Sequence, residues 1–475
     1  MTVIEAINPR LGVANYFVEA ATPEMVAAQA ARLRQGQGTW SATLQGRTSA
    51  MAAWAGALAE RREALATALT DDTGRRLMSF LEVDIMIARI HYWIERAPVL
   101  LAEPEEKRSA TAANVAYRHQ WVPYSLVGVI SPWNFPLTLS LADSIPALFA
   151  GCAVLLKPSE ITPRFVAVLN DSIASVPELA AVFHAVVGGP ETGSALIDAV
   201  DMICFTGSVA TGRMVAVQAA KNFIPACLEL GGKDPAVVLA DADLNDAADA
   251  ILRSAAGSCG QACMSLERIY AHESVFDALC DLLVERSKAL KLNATDIHQG
   301  VMPPFIDQRQ AGKVAVQLED ALAKGAKLHC GGPPEQINGG WWMHPTVLTN
   351  IDDHMLLMQE ETFGPILPLL PFASDDEAIA LANSGDYGLS ASVFGEEVHA
   401  LQVAREIRAG AVGINDASMT ALIHDIEKQS FGFSGMGPSR MGDEGLLRFL
   451  RTKALMIQRD HPTPLSMLDE SRMPR

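Results

Sequence analysis

The stretch Leu126-Val127-Gly128-Val129-Ile130-Ser131-Pro132-Trp133-Asn134-Phe135-Pro136 decides how this chain is read. Its first five residues form an apolar run of strand length, and a loop stiffened by two prolines and two aromatics leads into a helical segment near 138–150. The pattern recurs downstream. Apolar runs at Ala153–Lys157, Val182–Val187, Met202–Phe205 and Ile224–Leu230 alternate with helical segments near 163–175, 191–199 and 209–220. Short apolar strands separated by helices signify βαβ units and a parallel sheet covered on both faces. After Gly231-Gly232 the alternation restarts. Ala236–Leu239, a helix near 243–258, a strand near 268–271 and a helix near 274–291 come first, then strands at Ile366–Leu370, Leu389–Phe394 and Ala411–Ile414. The chain reads as α/β, with a nucleotide-binding half followed by a second α/β domain over about 232–430. Upstream, residues 45–100 carry helical spacing and Glu103–Ser109 is a polar break. Gly331–Pro334 and Gly339-Gly340 are expected in surface loops. The tail from His461 onward is polar and contains prolines.

Composition narrows the function. The 475 residues are 49% hydrophobic and 19% charged, a globular balance, with a net charge of −18 and no dense Lys/Arg run. Nucleic acid and anionic membrane are poor partners for such a chain. The segment Met1–Glu5 shows no secretory pattern, and no apolar stretch reaches the roughly 18 residues of a spanning helix, so a cytoplasmic protein is expected. Seven scattered cysteines (152, 204, 227, 259, 263, 280 and 330) do not form a disulfide framework. Cys259 and Cys263 are four apart but lack a second Cys/His pair at zinc spacing, so no metal is expected.

Several runs carry reactive chemistry, each with a bland alternative. Cys263 in Gly260-Gln261-Ala262-Cys263 is a nucleophile whose own N–H can serve an oxyanion, or a buried helical cysteine with Cys259 one turn away. Glu229, at a strand end before Gly231-Gly232, is a general base at a ligand crevice, or a surface carboxylate. Asn134 is an oxyanion donor or a turn residue. Lys157-Pro158-Ser159-Glu160 offers contacts to a nucleotide ribose, with Glu160 favouring NAD over NADP, or is a solvated charged pair. Phe205-Thr206-Gly207-Ser208 opens a helix whose N-terminus suits a pyrophosphate, although an ordinary strand–turn–helix has the same spacing. Glu361-Thr362-Phe363-Gly364-Pro365 places a carboxylate and an aromatic side by side, for a ribose and a nicotinamide, or forms an acidic turn.

Together these runs resemble the NAD(P)-dependent aldehyde dehydrogenase superfamily, whose motifs they match in order and spacing over nearly the whole chain. The resemblance implies a Rossmann-like cofactor domain (1–104 and 125–231), an α/β catalytic domain (232–430) and a small β oligomerisation arm with the C-terminal tail (105–124 and 445–475). In the arm, a hairpin near 105–124 would join a strand near 451–458, in a homodimer or homotetramer. It further implies Cys263 as nucleophile, Glu229 as base, and Asn134 with the Cys263 amide as the oxyanion hole. Trp133, Lys157, Ser159, Glu160, Gly207, Ser208, Leu230, Gly231, Glu361 and Phe363 would bind NAD, with NADP possible. Glu229 points to hydrolysis to the free acid, because acyl transfer to coenzyme A needs no base to activate water. By analogy the substrate pocket holds Tyr92, Trp93, Phe135, Leu139, Met264, Phe431 and the loop Asp416–Asp425 with Met419, Leu422 and Ile423. These are mostly apolar, so a hydrophobic or aromatic aldehyde is expected. A small aliphatic or carboxylate-bearing semialdehyde is the alternative, for which Arg89 or Arg96 could reach the tunnel. A non-catalytic protein would have lost the thiol or the base, and neither is lost. Ala256 and Ser258 replace a frequent Phe-x-Asn, and Ser434–Gly442 departs from the commoner ending, which suggests a less common branch.

Overall fold

The computed structural model describes residues 2–472. Six strands form the first sheet, in the order Gly435–Met436, Ala226–Glu229, Met202–Thr206, Leu126–Ile130, Ala153–Lys157, Phe183–Ala185. All pair in parallel except Gly435–Met436. The two runs Leu126–Ile130 and Ala153–Lys157 form as expected because nearly every residue in them is buried. Val182–Val187 shortens to Phe183–Ala185, and Ile224–Leu230 to Ala226–Glu229. Register aligns the strand ends: Ile130 faces both Lys157 and Phe205, and Thr206 faces Glu229. The C-terminal edge of a parallel sheet is where side chains and loops can meet a ligand.

A seven-stranded sheet follows, in the order Lys327–Cys330, Thr346–Thr349, Ile366–Phe372, Leu266–His272, Asp234–Val238, Ser390–Phe394, Ala411–Ile414. Its pairs are parallel except the first. Lys327–Cys330 escapes pattern reading because it is short, mixes polar with apolar residues and buries only Cys330. Each sheet has its own core. Trp54 meets Phe183 edge-on at 5.6 Å in the first, and Tyr270, Phe305 and Phe372 are buried in the second.

One expectation changes. Gly339-Gly340 is not a free surface loop. An N-terminal hairpin, Val3–Asn8 with Val13–Glu19, presses its turn there so closely that a Cβ on Gly12 would lie 2.0 Å from the Gly339 carbonyl oxygen. The strand expected in the C-terminal segment 445–475 begins at Leu450. The helix Glu444–Leu447 packs on the helix Pro136–Ala150, and Arg448 pairs with the buried Asp143. From Leu450 to Gln458 the chain pairs antiparallel with Val115–Pro123, which also pairs with Lys107–Arg108, in a separate three-stranded sheet. Among the described residues no helix is long and apolar enough to cross a membrane.

Candidate active site

Cys263 does not lie in a helix. The helix Leu244–Ala256 ends early, and Ser258, Cys259 and Gly260 then adopt left-handed φ values of 54°, 60° and 66°. Cys259 is therefore not one helical turn from Cys263. Ser258 and Cys259 store strain there that neighbours must hold, whereas Gly260 takes the conformation freely. Gln261 is the clasp. Its side chain donates to the Pro304 carbonyl at 3.2 Å and accepts from the Ile306 N–H at 2.9 Å. Gly260 lies so close to Gly364 that a Cβ would stand 2.4 Å from its carbonyl carbon. The loop thus places the thiol over the edge of the first sheet.

Asn134 is buried, and its side-chain amide donates to the Gln261 carbonyl at 3.1 Å, two residues before the thiol. The Asn134 carbonyl in turn accepts from Arg75, whose guanidinium also covers the Phe135 ring at 4.9 Å. Glu82 accepts from the N–H groups of Leu137 and Thr138 at 3.1 and 3.0 Å. It caps the helix Pro136–Ala150 from a different helix, where the dipole favours an anion. Among the described residues the Cys263 N–H donates to no protein acceptor. Asn134 thus spends one of its two amide hydrogens on Gln261, two residues before Cys263, whose own N–H is uncommitted.

The glycines beside Glu229 explain how three motifs meet. A Cβ on Gly232 would lie 2.4 Å from the Cys263 carbonyl oxygen, and one on Gly231 would lie 2.7 Å from the Glu361 carboxylate. The Gly232 N–H donates to that carboxylate at 3.1 Å. Glu361 is held in a turn where Phe363 has a φ of 56°. The unexpected partner is Glu267, which accepts the N–H groups of Thr362 and Phe363 at 2.8 and 2.7 Å and pairs with Lys233 at 2.7 Å. Burial, then repulsion from Glu267, raises the Glu361 carboxyl to about 7. Phe363 meets Trp133 edge-on at 5.5 Å.

The other residues expected at a cofactor lie along the same strand ends. Lys157 reaches Glu160 at 3.2 Å, and Ser159 is buried beside them. Burial lowers the Lys157 ammonium from its ordinary value. Ser208 caps the helix Val209–Lys221, accepting from the Thr211 N–H at 3.3 Å, and stands exposed with Gly207 before it. Leu230 packs against Gly212 of that helix, where a Cβ would be 2.5 Å away. Free helix-end N–H groups, a strand-end carboxylate and an aromatic pair suit a dinucleotide's phosphates, ribose and ring.

The substrate side is only partly assembled. Thr420 Oγ1 donates to Met264 Sδ at 3.6 Å, so the Asp416–Asp425 loop does approach the thiol's neighbour, and Met419 lies against Gly413. Tyr92 meets Trp93 edge-on at 5.0 Å, and Phe135 and Leu139 begin the helix behind Asn134. Leu422 and Phe431 are 66% and 45% exposed. Arg96 is committed to Asp443 through two hydrogen bonds of 2.8 and 2.5 Å.

Burial pushes the Cys263 thiol up to about 12, so the sulfur needs a compensating charge to react as a thiolate. Pattern reading missed that charge. Lys428 Nζ stands 3.4 Å from Glu229 Oε2, and its positive field opposes the burial of the sulfur. No motif in the sequence marks Lys428; only the folded loop brings it inward.

The aldehyde dehydrogenase family model matches residues 1–455. The chain belongs to this family. A Methylomonas sp protein named 4,4'-diapolycopene aldehyde oxidase is 34% identical over 94% of this chain and 84% of its own length. A Mycolicibacterium smegmatis protein named "Putative succinate-semialdehyde dehydrogenase", with NADP(+) in its name, is 34% identical over 92% and 85%. Among solved structures, a protein from Anabaena variabilis described as "Putative Aldehyde Dehydrogenase" superposes with a TM-score of 0.95 at 49% identity, covering 98% of this chain and 99% of that one. Betaine aldehyde dehydrogenase from Staphylococcus aureus, solved with NAD+, superposes at 0.90 with 30% identity over 98% and 93%. The α/β architecture of this aldehyde dehydrogenase family member is thus that of solved relatives, and the family acts on small-molecule aldehydes.

Proposed function

We propose that the chain oxidises an aldehyde to the free carboxylic acid with NAD(P), through a thioester on Cys263 that Glu229 hydrolyses. The observation that carries this reading is the close approach of Gly232 to the Cys263 carbonyl, which fastens the base-bearing strand end to the thiol loop. Cys263 attacks the carbonyl carbon, and the oxyanion is received by the Asn134 amide and the Cys263 N–H. Each such donor is worth about 3 kcal/mol in the transition state. Bound NAD(P) supplies a hydride acceptor. Glu229 then takes a proton from water as its oxygen attacks the thioester, and the acid leaves.

The residues fit that cofactor. Lys157, Ser159 and Glu160 would hold the adenosine ribose, Gly207 and Ser208 the pyrophosphate, and Trp133, Leu230, Gly231, Glu361 and Phe363 the nicotinamide end. The Lys157–Glu160 pair favours a 2′-hydroxyl over a 2′-phosphate, hence NAD. Relatives named with NADP(+) or solved with NAD+ support the class. The exposed strand Leu450–Gln458, with Met456 at 77% exposure, supports assembly as a homodimer or homotetramer, and seven free cysteines fit a reducing cytoplasm.

Glu361 gives the cofactor reading a pH signature. Its carboxyl, raised to about 7, is largely neutral below that pH and ionised above it, and the ionised form accepts ribose hydroxyls and attracts the cationic nicotinamide ring. NAD+ affinity should therefore rise as pH increases through about 7. Calorimetric titration checks this, and Glu361→Gln should flatten the dependence.

For the substrate, Phe135, Leu139, Met264, Met419 and Tyr92 support a hydrophobic or aromatic aldehyde. A carboxylate-bearing semialdehyde is the second reading, because Arg89, one helical turn from Tyr92, has no hydrogen-bonding or ionic partner among the described residues, and burial lowers it to about 10. NADH absorbance with benzaldehyde, hexanal, 4-carboxybenzaldehyde and succinate semialdehyde decides between them. The first pair should have the higher kcat/KM; a clear advantage for the carboxylates overturns the apolar assignment, and no turnover of any aldehyde overturns the function.

A further inference from the structure

We propose that Lys428 is a positioning residue whose single ammonium serves both reacting side chains, holding negative charge on the Cys263 sulfur for attack and aiming the Glu229 carboxylate for hydrolysis. This rests on the roles proposed above for those two residues.

The placement is specific. Lys428 lies in the loop that leaves the second sheet after Ala411–Ile414 and returns to the first as Gly435–Met436. That return strand pairs directly with Glu229 and Leu228. The Lys428 side chain is only 10% exposed and that of Glu229 18%, so their 3.4 Å ion pair is largely withdrawn from water, where charges act over longer range. Nζ also donates to Ser430 Oγ at 3.4 Å, and the Lys428 N–H donates to Ser439 Oγ at 3.0 Å. Ser439 Oγ in turn donates to the Met441 carbonyl at 3.0 Å, so the backbone that carries the ammonium is anchored.

The surrounding charges leave this task to Lys428. At the sulfur, Asp234, Glu361 and Glu229 all oppose a thiolate, and Lys428 is the cation that favours it. Arg440 also acts on Glu229, yet its guanidinium is bound to Asp143 and Thr206. Arg448 is likewise spent on Asp143. Among the described residues Glu229 is the one carboxylate within 4 Å of the Lys428 ammonium. The charge balance then follows the reaction. Attack by sulfur moves its negative charge to the aldehyde oxygen. During hydrolysis the water proton passes to Glu229, the carbon–sulfur bond breaks, and the departing thiolate regains the Lys428 field that favoured it.

The test reads the thiol directly. The rate of iodoacetamide alkylation at Cys263 is measured against pH in wild type, Lys428→Met, Lys428→Gln and Lys428→Arg, with Cys263→Ser as the blank and thermal unfolding as the folding check. Both neutral variants should move the alkylation midpoint upward by about one pH unit or more, and Lys428→Arg should keep the wild-type midpoint. Turnover near neutral pH should fall about tenfold in the neutral variants and recover as pH rises, since each pH unit changes the thiolate fraction tenfold. A folded neutral variant with the wild-type midpoint overturns the proposal. If instead the Cys263→Ser blank oxidises aldehydes as fast as wild type, the nucleophile assignment itself fails, which is a different result.

Discussion

Cys263→Ser will abolish aldehyde-dependent NADH formation, by about 10³-fold or more, while leaving the fold and NAD+ binding intact. In the proposed mechanism the sulfur becomes covalently bound to the substrate carbon, and a serine hydroxyl in the same half-buried position lacks the acidity to replace it. The change removes no packing of consequence, since the loop is held by Gln261 and by the left-handed run Ser258–Gly260 rather than by the thiol. Stopped-flow absorbance at the NADH band and a parallel NAD+ titration check the two halves. Turnover within tenfold of wild type would remove Cys263 from the mechanism. Loss of both activity and NAD+ binding would mean that the substitution disturbs the fold.

Glu229→Gln should separate the two halves of the reaction. Steady-state turnover is expected to fall about 10²- to 10⁴-fold, the range for losing a positioned general base. A burst of about one NADH per active site should remain, because forming the thioester requires the sulfur and the oxyanion donors, whereas only hydrolysis requires a proton acceptor for water. Rapid-mixing absorbance measures the burst, and mass spectrometry of the quenched protein should find the acyl group on the Cys263 peptide. The amide removes a negative charge that opposes the thiolate and leaves the Lys428 ammonium to the sulfur, so the burst should be no slower than in wild type. Complete absence of the burst would place Glu229 in the attack step rather than in hydrolysis.

The two sheets were legible wherever strands are buried on both faces, as in Leu126–Ile130, Ala153–Lys157 and Ala236–Leu239, because their buried positions are filled almost entirely by apolar side chains, with polar exceptions such as Lys157 and Asp234 at the strand ends. The N-terminal hairpin was not, since its residues alternate between exposed and half-buried and its turn is fixed only by contact with Gly339. Within the site, Cys263, Glu229 and Asn134 are marked by neighbouring glycines and prolines that leave a local trace. Glu267 and Lys428 leave none. Each is an ordinary charged residue until folding brings it against a partner over 95 or 199 positions away in the chain. Cys259 misled for a related reason: helical spacing is meaningful only if the helix continues, and left-handed residues end it.

The helix Arg76–Leu100, preceded by Arg75, bears on an engineering problem. It carries Tyr92 and Arg89, which we propose face the substrate, and at its other end Arg75 and Glu82 brace the Asn134 loop. A library that reshapes the wall by tilting this helix will detune the oxyanion donor at the same time. Selectivity and speed are mechanically geared together here, and the variants that escape the trade-off will be those that change the wall by side-chain size alone.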